Sequence, residues 1–159
     1  MKEPSAATEE EIALFHSREY IDILKKADSG IFSIEMFDYG LGTEDNPVVE
    51  GLYDWSSLAA GATLDGARLI RNGDADVVFN PIGGFHHAGR SYAGGFCYIN
   101  DVGIALTFLE NEGLKTAFLD IDAHHCNGIQ EGFYDDPRVL VVSLHEFGED
   151  FYPQTGRSE

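Results

Sequence analysis

The segment with the strongest chemical signal reads DIDAHH at positions 120–125. If it lies at the end of a strand, the period of two places Asp120, Asp122 and His124 on one side. A carboxylate and an imidazole two residues apart can bind one divalent ion at about 2.0–2.2 Å, distances typical of zinc. Asp120 lies deeper and can orient a neighbour or contact a second cation. The alternative is a strand-end cluster satisfied by hydrogen bonds and turn caps, and the spacing alone leaves both interpretations open.

Two adjacent histidines, His86 and His87, stand in the glycine-rich segment GGFHHAG at positions 83–89. The glycines allow a sharp backbone turn, and adjacent histidine side chains project in different directions. Two neutral imidazoles beside a metal can supply a general base and a general acid for hydrolysis. A loop with two exposed histidines is the alternative. Proximity to Asp122 and His124 across a parallel sheet favours the catalytic interpretation.

The residue after His125 bears on the number of metal ions. A two-metal site, as in a ureohydrolase with two manganese ions, needs bridging carboxylates, whereas this position holds Cys126. A single metal is therefore the favoured interpretation. Cys126 and Cys97 are predicted to be small packed residues rather than a ligand or a nucleophile. No role is assigned to His16 or His145.

Predicted strands and helices alternate around these residues. Thr8 and Glu11 form a capping-box pattern at the start of a helix over 8–26, and a loop rich in Gly and Asp spans 28–53. The other predicted elements are a helix over 54–72, a strand over 75–84, a helix over 100–112, a strand over 114–123, a helix over 128–134 and a strand over 138–144. Apolar strands separated by helices predict a parallel sheet covered on both faces. Five of the six histidines follow the carboxyl ends of these strands, which is where ligands bind in such sheets.

Composition limits the class of protein. The 159 residues, of which 43% are hydrophobic, suit one globular domain with a sizeable core. The net charge of −18 argues against nucleic acid and anionic membranes as direct partners and favours cationic ligands and metal ions. Two cysteines make no disulfide framework, the N-terminus has no apolar signal segment, and the apolar runs are too short to span a bilayer. We therefore expect a soluble cytoplasmic protein without membrane association.

The chain resembles the histone deacetylase superfamily, including acetoin-utilisation proteins and bacterial deacetylase-like hydrolases. The resemblance is collinear from about Glu9 to Gly156. Its motifs are EEIALFHSREYI, YGLGTEDNP, EGLYDW, GGFHHAGRSYAGGFCYINDVGIA, DIDAHHCNGIQEGFYDDPRVLVVSLHE and YPQTG. It implies a three-layer arginase/deacetylase-like α/β fold with a mostly parallel sheet. It also implies zinc-dependent hydrolysis of acetylated amines, such as acetyl-lysine or an acetyl-polyamine.

The same resemblance implies roles for the histidines and carboxylates. Asp122 and His124 are similar to two zinc ligands of the family. His86 and His87 are similar to its tandem histidines, which activate the attacking water and protonate the leaving amine, and Asp120 would orient His86. Asn127 stands behind the second histidine, at a position where some members carry Asp and others carry Asn, so the basicity of His87 would be set differently.

Substrate and potassium sites are implied in the same way. Asp45 resembles a rim carboxylate that fixes the substrate backbone, and Phe96 and Tyr152 resemble channel walls, with Tyr152 standing where Phe is usual. Oxygens of a first potassium site match Asp120, Asp122, His124, Ser143 and Leu144. Those of a second potassium site match Phe133, Asp136 and Val139.

Compared with the family, residues 1–159 correspond to a single partial domain. The first strand, the third zinc-ligating Asp and the glycine-rich stretch with the transition-state Tyr have no counterpart in the sequence. A tetrahedral catalytic zinc site needs three protein ligands and an open position. We therefore expect weak or no activity of this chain alone, and self-association through an exposed sheet edge. The alternative is a catalytically silent truncated module that binds metal or mediates interactions.

Overall fold

A computed structural model describes residues 3–157 of the chain. The helices and strands, in chain order, are α1 (Glu9–Ile12), α2 (Arg18–Ala27), a 3₁₀ helix (Ile34–Tyr39), α3 (Leu52–Asn72), α4 (Asp101–Asn111), β1 (Thr116–Asp120), α5 (Asn127–Phe133) and β2 (Val139–Ser143). The order of the last four elements matches the predicted alternation. Asn100 caps α4, because its side-chain oxygen accepts a hydrogen bond from Gly103 N at 2.8 Å.

The sheet positions the carboxyl ends of two strands side by side. β1 and β2 pair in parallel, with register running from Thr116↔Val139 to Asp120↔Ser143, and α5 forms the crossover between them. Alternate side chains face α4 and α5, while Leu119, Leu140 and Val142 are exposed on the opposite face. The predicted parallel pairing is confirmed for these two strands. In the part of the chain that the structure describes, the predicted cover on the second face is absent.

The prediction of one helix over 8–26 is wrong, because two helices with a bend between them occupy this range. The capping box is present, since Thr8 and Glu11 exchange hydrogen bonds between side chain and backbone. Ser17 then caps a new helix by accepting from Tyr20 N at 3.3 Å. The bend buries Phe15 and its neighbouring histidine in the core, which a straight amphipathic helix would not do.

The predicted strand over 75–84 is also wrong. Val77 and Phe79 are each 84% exposed, and no strand pairing within residues 3–157 includes this segment. An apolar run becomes a strand only where another strand satisfies its N–H and C=O groups. The segment instead runs from α3 to the glycine-rich turn at Gly83.

The region predicted as a loop over 28–53 contains defined structure. It includes the 3₁₀ helix, which ends at Gly40 with φ 74°, and the first two residues of α3. The Asp28 carboxylate accepts from Tyr53 N at 2.7 Å. Asp28 therefore satisfies an N-terminal donor of α3 from a distance of 25 residues, which explains why the helix begins before the predicted position.

The core lies between the helices and the inner face of the sheet. Its fully buried large side chains include Phe15, Tyr20, Leu24, Leu64 and Ile104. Within residues 3–157, no helix combines the length and the apolar character needed to cross a membrane.

Candidate active site

A cavity of about 350 Å³ opens beyond the carboxyl end of β1. It is lined by Asp45, Gly84, Phe85, His86, His87, Gly95, Phe96, Cys97, Asp122, His124 and Tyr152. Seven of these residues were predicted as site residues from the sequence. The structure brings them together because the glycine-rich turn, the end of β1 and the loop after β2 converge at one edge of the fold.

His86 is held by Asp120, the last residue of β1. The His86 Nδ1 atom lies 2.5 Å from Asp120 Oδ2, and both side chains are buried. A carboxylate can only accept at this contact, so Nδ1 carries the hydrogen and Nε2 is the nitrogen that can take up a proton. This arrangement suits His86 to act as a general base.

His87 is held by Asn127, the first residue of α5. The His87 Nδ1 atom lies 2.7 Å from Asn127 Oδ1. Burial lowers the pKa of His87 to about 4, the Asn127 hydrogen bond raises it, and the neighbouring His86 lowers it again. His87 is therefore neutral at pH 7, and an amide oxygen stabilises its imidazolium less than a carboxylate would.

Asp122 and His124 lie in a turn rather than on a strand, because β1 ends at Asp120. Asp122 N donates to Asp120 Oδ1 at 2.9 Å, and His124 N donates to Asp122 Oδ1 at 2.7 Å. The expected grouping of these three side chains is observed, but its cause is this hydrogen-bonded turn and not the pleat of a strand. The hydrogen bond from His124 N is the main reason that the pKa of Asp122 is lowered, so the carboxylate is ionised at neutral pH.

The donor atoms of Asp122 and His124 suit one tetrahedral metal ion. Asp122 Oδ1 and His124 Nδ1 lie 3.0 Å apart, close to the separation of about 3.4 Å between two ligands that each bind zinc at about 2.1 Å. Among residues 3–157, no group of three His, Cys, Asp or Glu side chains could hold a metal ion. Asp122 and His124 are thus two donors, one fewer than the three protein ligands of a catalytic zinc site.

Phe96 stands at the rim of the cavity in an uncommon backbone conformation. Gly94 and Cys97 exchange two backbone hydrogen bonds of 3.1 and 2.9 Å around a two-residue turn, in which Gly95 and Phe96 have φ 51° and 66°. A left-handed conformation costs a non-glycine residue about 1–2 kcal/mol. The turn nevertheless holds Phe96, which is 68% exposed, at the lining of the cavity.

Two aromatic residues of the loop after β2 face the histidines. The Tyr152 ring lies edge-on to His87 with centroids 4.9 Å apart, and the Phe151 ring lies parallel to His124, also with centroids 4.9 Å apart and an interplanar angle of 6°. Burial raises the pKa of Tyr152 to about 12, so its phenol is neutral. Tyr152 lines the cavity, and its role as a wall of a substrate channel stays a prediction.

The Asp101 carboxylate fixes the backbone just before His86, a role that the sequence did not predict. Its buried carboxylate accepts from Gly84 N at 3.0 Å, from Phe85 N at 2.8 Å and from the Thr63 hydroxyl at 2.5 Å. Burial raises the pKa of Asp101, and these hydrogen bonds oppose that rise. An acidic residue in the first turn of a helix is ordinary, so the sequence carried no distinguishing signal.

Both cysteines are free and buried, as predicted. Burial raises the pKa of Cys97 to about 11, so the residue remains a thiol at neutral pH although it lines the cavity. Burial also raises the pKa of Cys126. The interpretation of these residues as packed thiols rather than nucleophiles is consistent with the structure.

The residues predicted to bind potassium fall at two places. In the first set, Asp120 and Ser143 are direct partners in the sheet register, and Leu144 N donates to Asp120 O at 2.9 Å. In the second set, the Asp136 carboxylate is bonded to Arg138, and Phe133 O accepts from Asp136 N at 3.0 Å. Val139 N donates to Asp136 O at 3.3 Å in the same turn.

The fold and the site together define a class of protein: a parallel α/β chain with paired histidines and carboxylates beyond the carboxyl ends of its strands. A protein-family model, the histone deacetylase domain, matches residues 1–159. The chain belongs to the histone deacetylase family, and its fold is the arginase/deacetylase fold.

Individual relatives agree with this assignment. The chain is 42% identical over 156 residues to histone deacetylase 9 of Arabidopsis thaliana, covering 96% of this chain and 36% of that protein. It is 40% identical over 156 residues to the acetoin utilization protein AcuC of Bacillus subtilis, covering 97% and 40%. It superposes with a TM-score of 0.87 on the crystal structure of a histone deacetylase homologue from Aquifex aeolicus, at 40% identity and covering 94% and 41%. The chain thus spans about two fifths of the length of these relatives.

Proposed function

We propose that this chain forms part of a zinc-dependent deacetylase that hydrolyses the amide bond between an acetyl group and an amine. Acetyl-lysine in a protein and an acetylated polyamine are the proposed substrates. The observation that carries the proposal is that His86, which is held by Asp120, lines the same cavity as the donor pair Asp122 and His124. Membership of the histone deacetylase family supports it.

Asp122 Oδ1 and His124 Nδ1 are the atoms that would hold zinc. When bound, zinc would polarise the acetyl carbonyl as a Lewis acid. A catalytic zinc site takes three protein donors and an open position, and residues 3–157 assemble two. We therefore expect weak zinc affinity and weak or no turnover from this chain alone.

His86 and His87 would move the protons of hydrolysis. His86 Nε2 takes a proton from the attacking water, and the Asp120 carboxylate stabilises the resulting imidazolium. The water oxygen bonds to the acetyl carbon, the carbon–nitrogen bond breaks, and His87 donates a proton to the leaving nitrogen. Because the pKa of His87 is about 4, only about one molecule in a thousand carries a protonated His87 at pH 7. The same low pKa makes the imidazolium a stronger acid towards the amine.

The walls of the cavity would orient the substrate. Phe96 and Tyr152 offer apolar surface to an extended methylene chain, and Asp45 can accept a hydrogen bond from a substrate amide. The net charge of −18 favours the approach of basic peptides and polyamines and disfavours nucleic acid as a direct partner. The two free cysteines are in keeping with a cytoplasmic location.

We also propose that potassium binds beside the zinc donors. The oxygens would come from Asp120, Asp122, His124, Ser143 and Leu144. Gly156 O can only accept, so His145 Nε2 donates to it and His145 Nδ1 accepts from the Ser143 hydroxyl. The lone pairs of Ser143 Oγ therefore remain available to a cation. A second potassium would use oxygens of Phe133, Asp136 and Val139.

The exposed sheet supports a further proposal, that the chain self-associates. Each strand has one unpaired edge in residues 3–157, and Leu119, Leu140 and Val142 expose a contiguous apolar face. Light scattering after size-exclusion chromatography should show oligomers that L140K converts to monomers. A monomeric chain at high concentration would refute this proposal.

Turnover of a fluorogenic acetyl-lysine peptide, measured with increasing zinc, tests the proposed function. Zinc-dependent turnover that disappears in H86A and persists in the surface variant K115A would support it. The alternative, a catalytically silent module, is supported by the observation that residues 3–157 assemble two zinc donors and not three. If zinc binds but the peptide remains intact under all conditions, this chain is that module and not an enzyme by itself.

A further inference from the structure

The loop that carries Phe151 and Tyr152 is anchored at both ends. At its beginning, Glu146 N donates to Ala123 O at 2.9 Å. At its end, the Thr155 hydroxyl lies 2.8 Å from His125 Nδ1, and Gly156 O accepts from His145 Nε2 at 3.0 Å. The second anchor uses two histidines that have no part in the proposed chemistry.

The two anchoring histidines form a packed unit. Their rings lie with centroids 4.6 Å apart, and His125 Nε2 lies 2.5 Å from Gln130 Oε1 in α5. His125 thereby ties the end of the loop to α5, while His145 bonds Ser143 at the end of β2. A Cβ atom at Gly156 would lie 2.4 Å from His145 Nε2 and 2.7 Å from His125 Cγ. The closeness of this contact requires glycine at position 156.

The anchored end lies four residues beyond Phe151, whose ring covers His124. The parallel rings have an interplanar angle of 6°. The His124 side chain is 42% exposed, and its hydrogen bond in residues 3–157 is the contact of Nδ1 with Asp122 Oδ1. Rotation of an imidazole about its terminal torsion is soft, so a flat ring against its face restricts the directions in which Nδ1 can point.

We propose that His125 and His145 are positioning residues for the metal-ligand pair. By holding Thr155 and Gly156, they hold Phe151 against His124. The Phe151 ring keeps His124 Nδ1 directed towards the position at which Asp122 Oδ1 can bind the same metal ion. The link to zinc rests on the proposed function, whereas the link from the anchor to the His124 ring does not.

Nuclear magnetic resonance of histidine ring protons tests the anchor without any assay of activity. The ring current of Phe151 displaces the His124 ring resonances. F151L removes the aromatic ring, so its spectrum gives the chemical shifts of His124 without this displacement. T155V removes the hydroxyl that bonds His125 at nearly constant shape, and we expect it to abolish at least half of the displacement. T155S restores the hydroxyl and should restore the displacement. H145Q should act in the same direction as T155V.

T116V is the matched control. The Thr116 hydroxyl is buried and has no hydrogen-bond partner among the described residues, so its removal should leave the His124 resonances unchanged. Amide spectra of each variant show whether the core remains folded. If T155V unfolds the chain, the displacement of the His124 resonances in T155S, which keeps the hydroxyl, is compared with that in H145Q, which lacks the second histidine. A smaller displacement in H145Q than in T155S then supports the proposal. Unchanged His124 resonances in folded T155V and H145Q, together with displaced ones in F151L, would overturn the proposal.

Zinc titration of the same samples addresses the connection to the metal. Zinc should bind T155V on the order of tenfold more weakly than the unaltered chain, as is typical when a group that orients a metal ligand is lost. If the unaltered chain takes up no zinc while the ring displacement follows the anchor, the zinc proposal fails and the positioning of His124 stands. If zinc binds both forms equally, the anchor does not act on the metal-ligand pair.

Discussion

Loss of the Asp101 carboxylate should destabilise the chain and release the segment that carries His86. In D101A, the N–H groups of Gly84 and Phe85 lose their acceptor. A fully buried donor without a partner costs about 1–3 kcal/mol. Gly84 is exposed and Phe85 is half-buried, so water replaces part of the lost acceptor, and the two groups together predict a loss of about 2–3 kcal/mol. That is a substantial part of the roughly 5–15 kcal/mol typical of a domain's stability.

D101N separates the charge of Asp101 from its hydrogen bonds. The amide oxygen can still accept from Phe85 N, and burial already raises the pKa of the native carboxyl, so part of the benefit of the charge is offset by its desolvation. We therefore expect a loss of only about 1 kcal/mol, the net value of one ordinary hydrogen bond. Asp101 would then act mainly through its geometry.

Urea unfolding measures both variants. Trp55 is the single tryptophan, and its ring lies edge-on to Phe85 with centroids 5.5 Å apart, so its emission also reports on the segment that Asp101 holds. T116V again serves as the control, because the Thr116 hydroxyl has no hydrogen-bond partner within residues 3–157. A free energy of unfolding for D101A within 0.5 kcal/mol of the unaltered chain, a threshold of about half an ordinary hydrogen bond, would refute this reasoning.

Three further predictions concern other parts of the structure. Burial lowers the pKa of His87 to about 4. The stabilisation of the folded chain by neutral His87 is complete above the unfolded pKa of about 6.5. As the pH falls towards 4, the free energy of unfolding should decrease by at most about 3 kcal/mol. H87Q should flatten this part of the stability curve in urea titrations, and N127D should raise the pKa of His87 in an NMR titration. F96G relieves the strain of the positive φ at Phe96, so the free energy of unfolding should be unchanged or higher by up to about 1 kcal/mol. The same variant removes a side chain that lines the cavity, so calorimetry should show weaker binding of an acetyl-lysine peptide. S17A removes the cap of α2 and should cost about 1 kcal/mol in urea unfolding; no loss would contradict the account of the bend.

The sequence predicted which residues lie together better than it predicted the elements around them. Proximity of the glycine-rich turn to Asp122 and His124 was expected because turns after parallel strands meet at one edge of a sheet, and the contact of His86 with Asp120, 34 residues away, was implied by the family resemblance. These residues lie together although the strand predicted before His86 does not form. The glycine-rich turn still reaches the site because Asp101 fixes its backbone from α4.

The errors have physical causes that a local pattern does not contain. Apolar periodicity over 8–26 favoured one helix, but burial of Phe15 and a new cap at Ser17 divide it into two. The start of α3 depends on Asp28, which is distant in sequence. A run such as 75–84 has the composition of a buried strand, yet a strand requires a paired neighbour, and its side chains remain exposed in residues 3–157.

The proposed function requires Asp122 and His124 to form the metal-binding part of a deacetylase site beside His86. Nitrogen chemical shifts of the histidine rings, followed while zinc is added, test this requirement. We expect the shift of His124 Nδ1, which lies 3.0 Å from Asp122 Oδ1, to change with the first zinc, and we expect D122N to prevent the change. Zinc binding that leaves His124 Nδ1 unaltered, or that is equally strong in D122N, would contradict the proposed function.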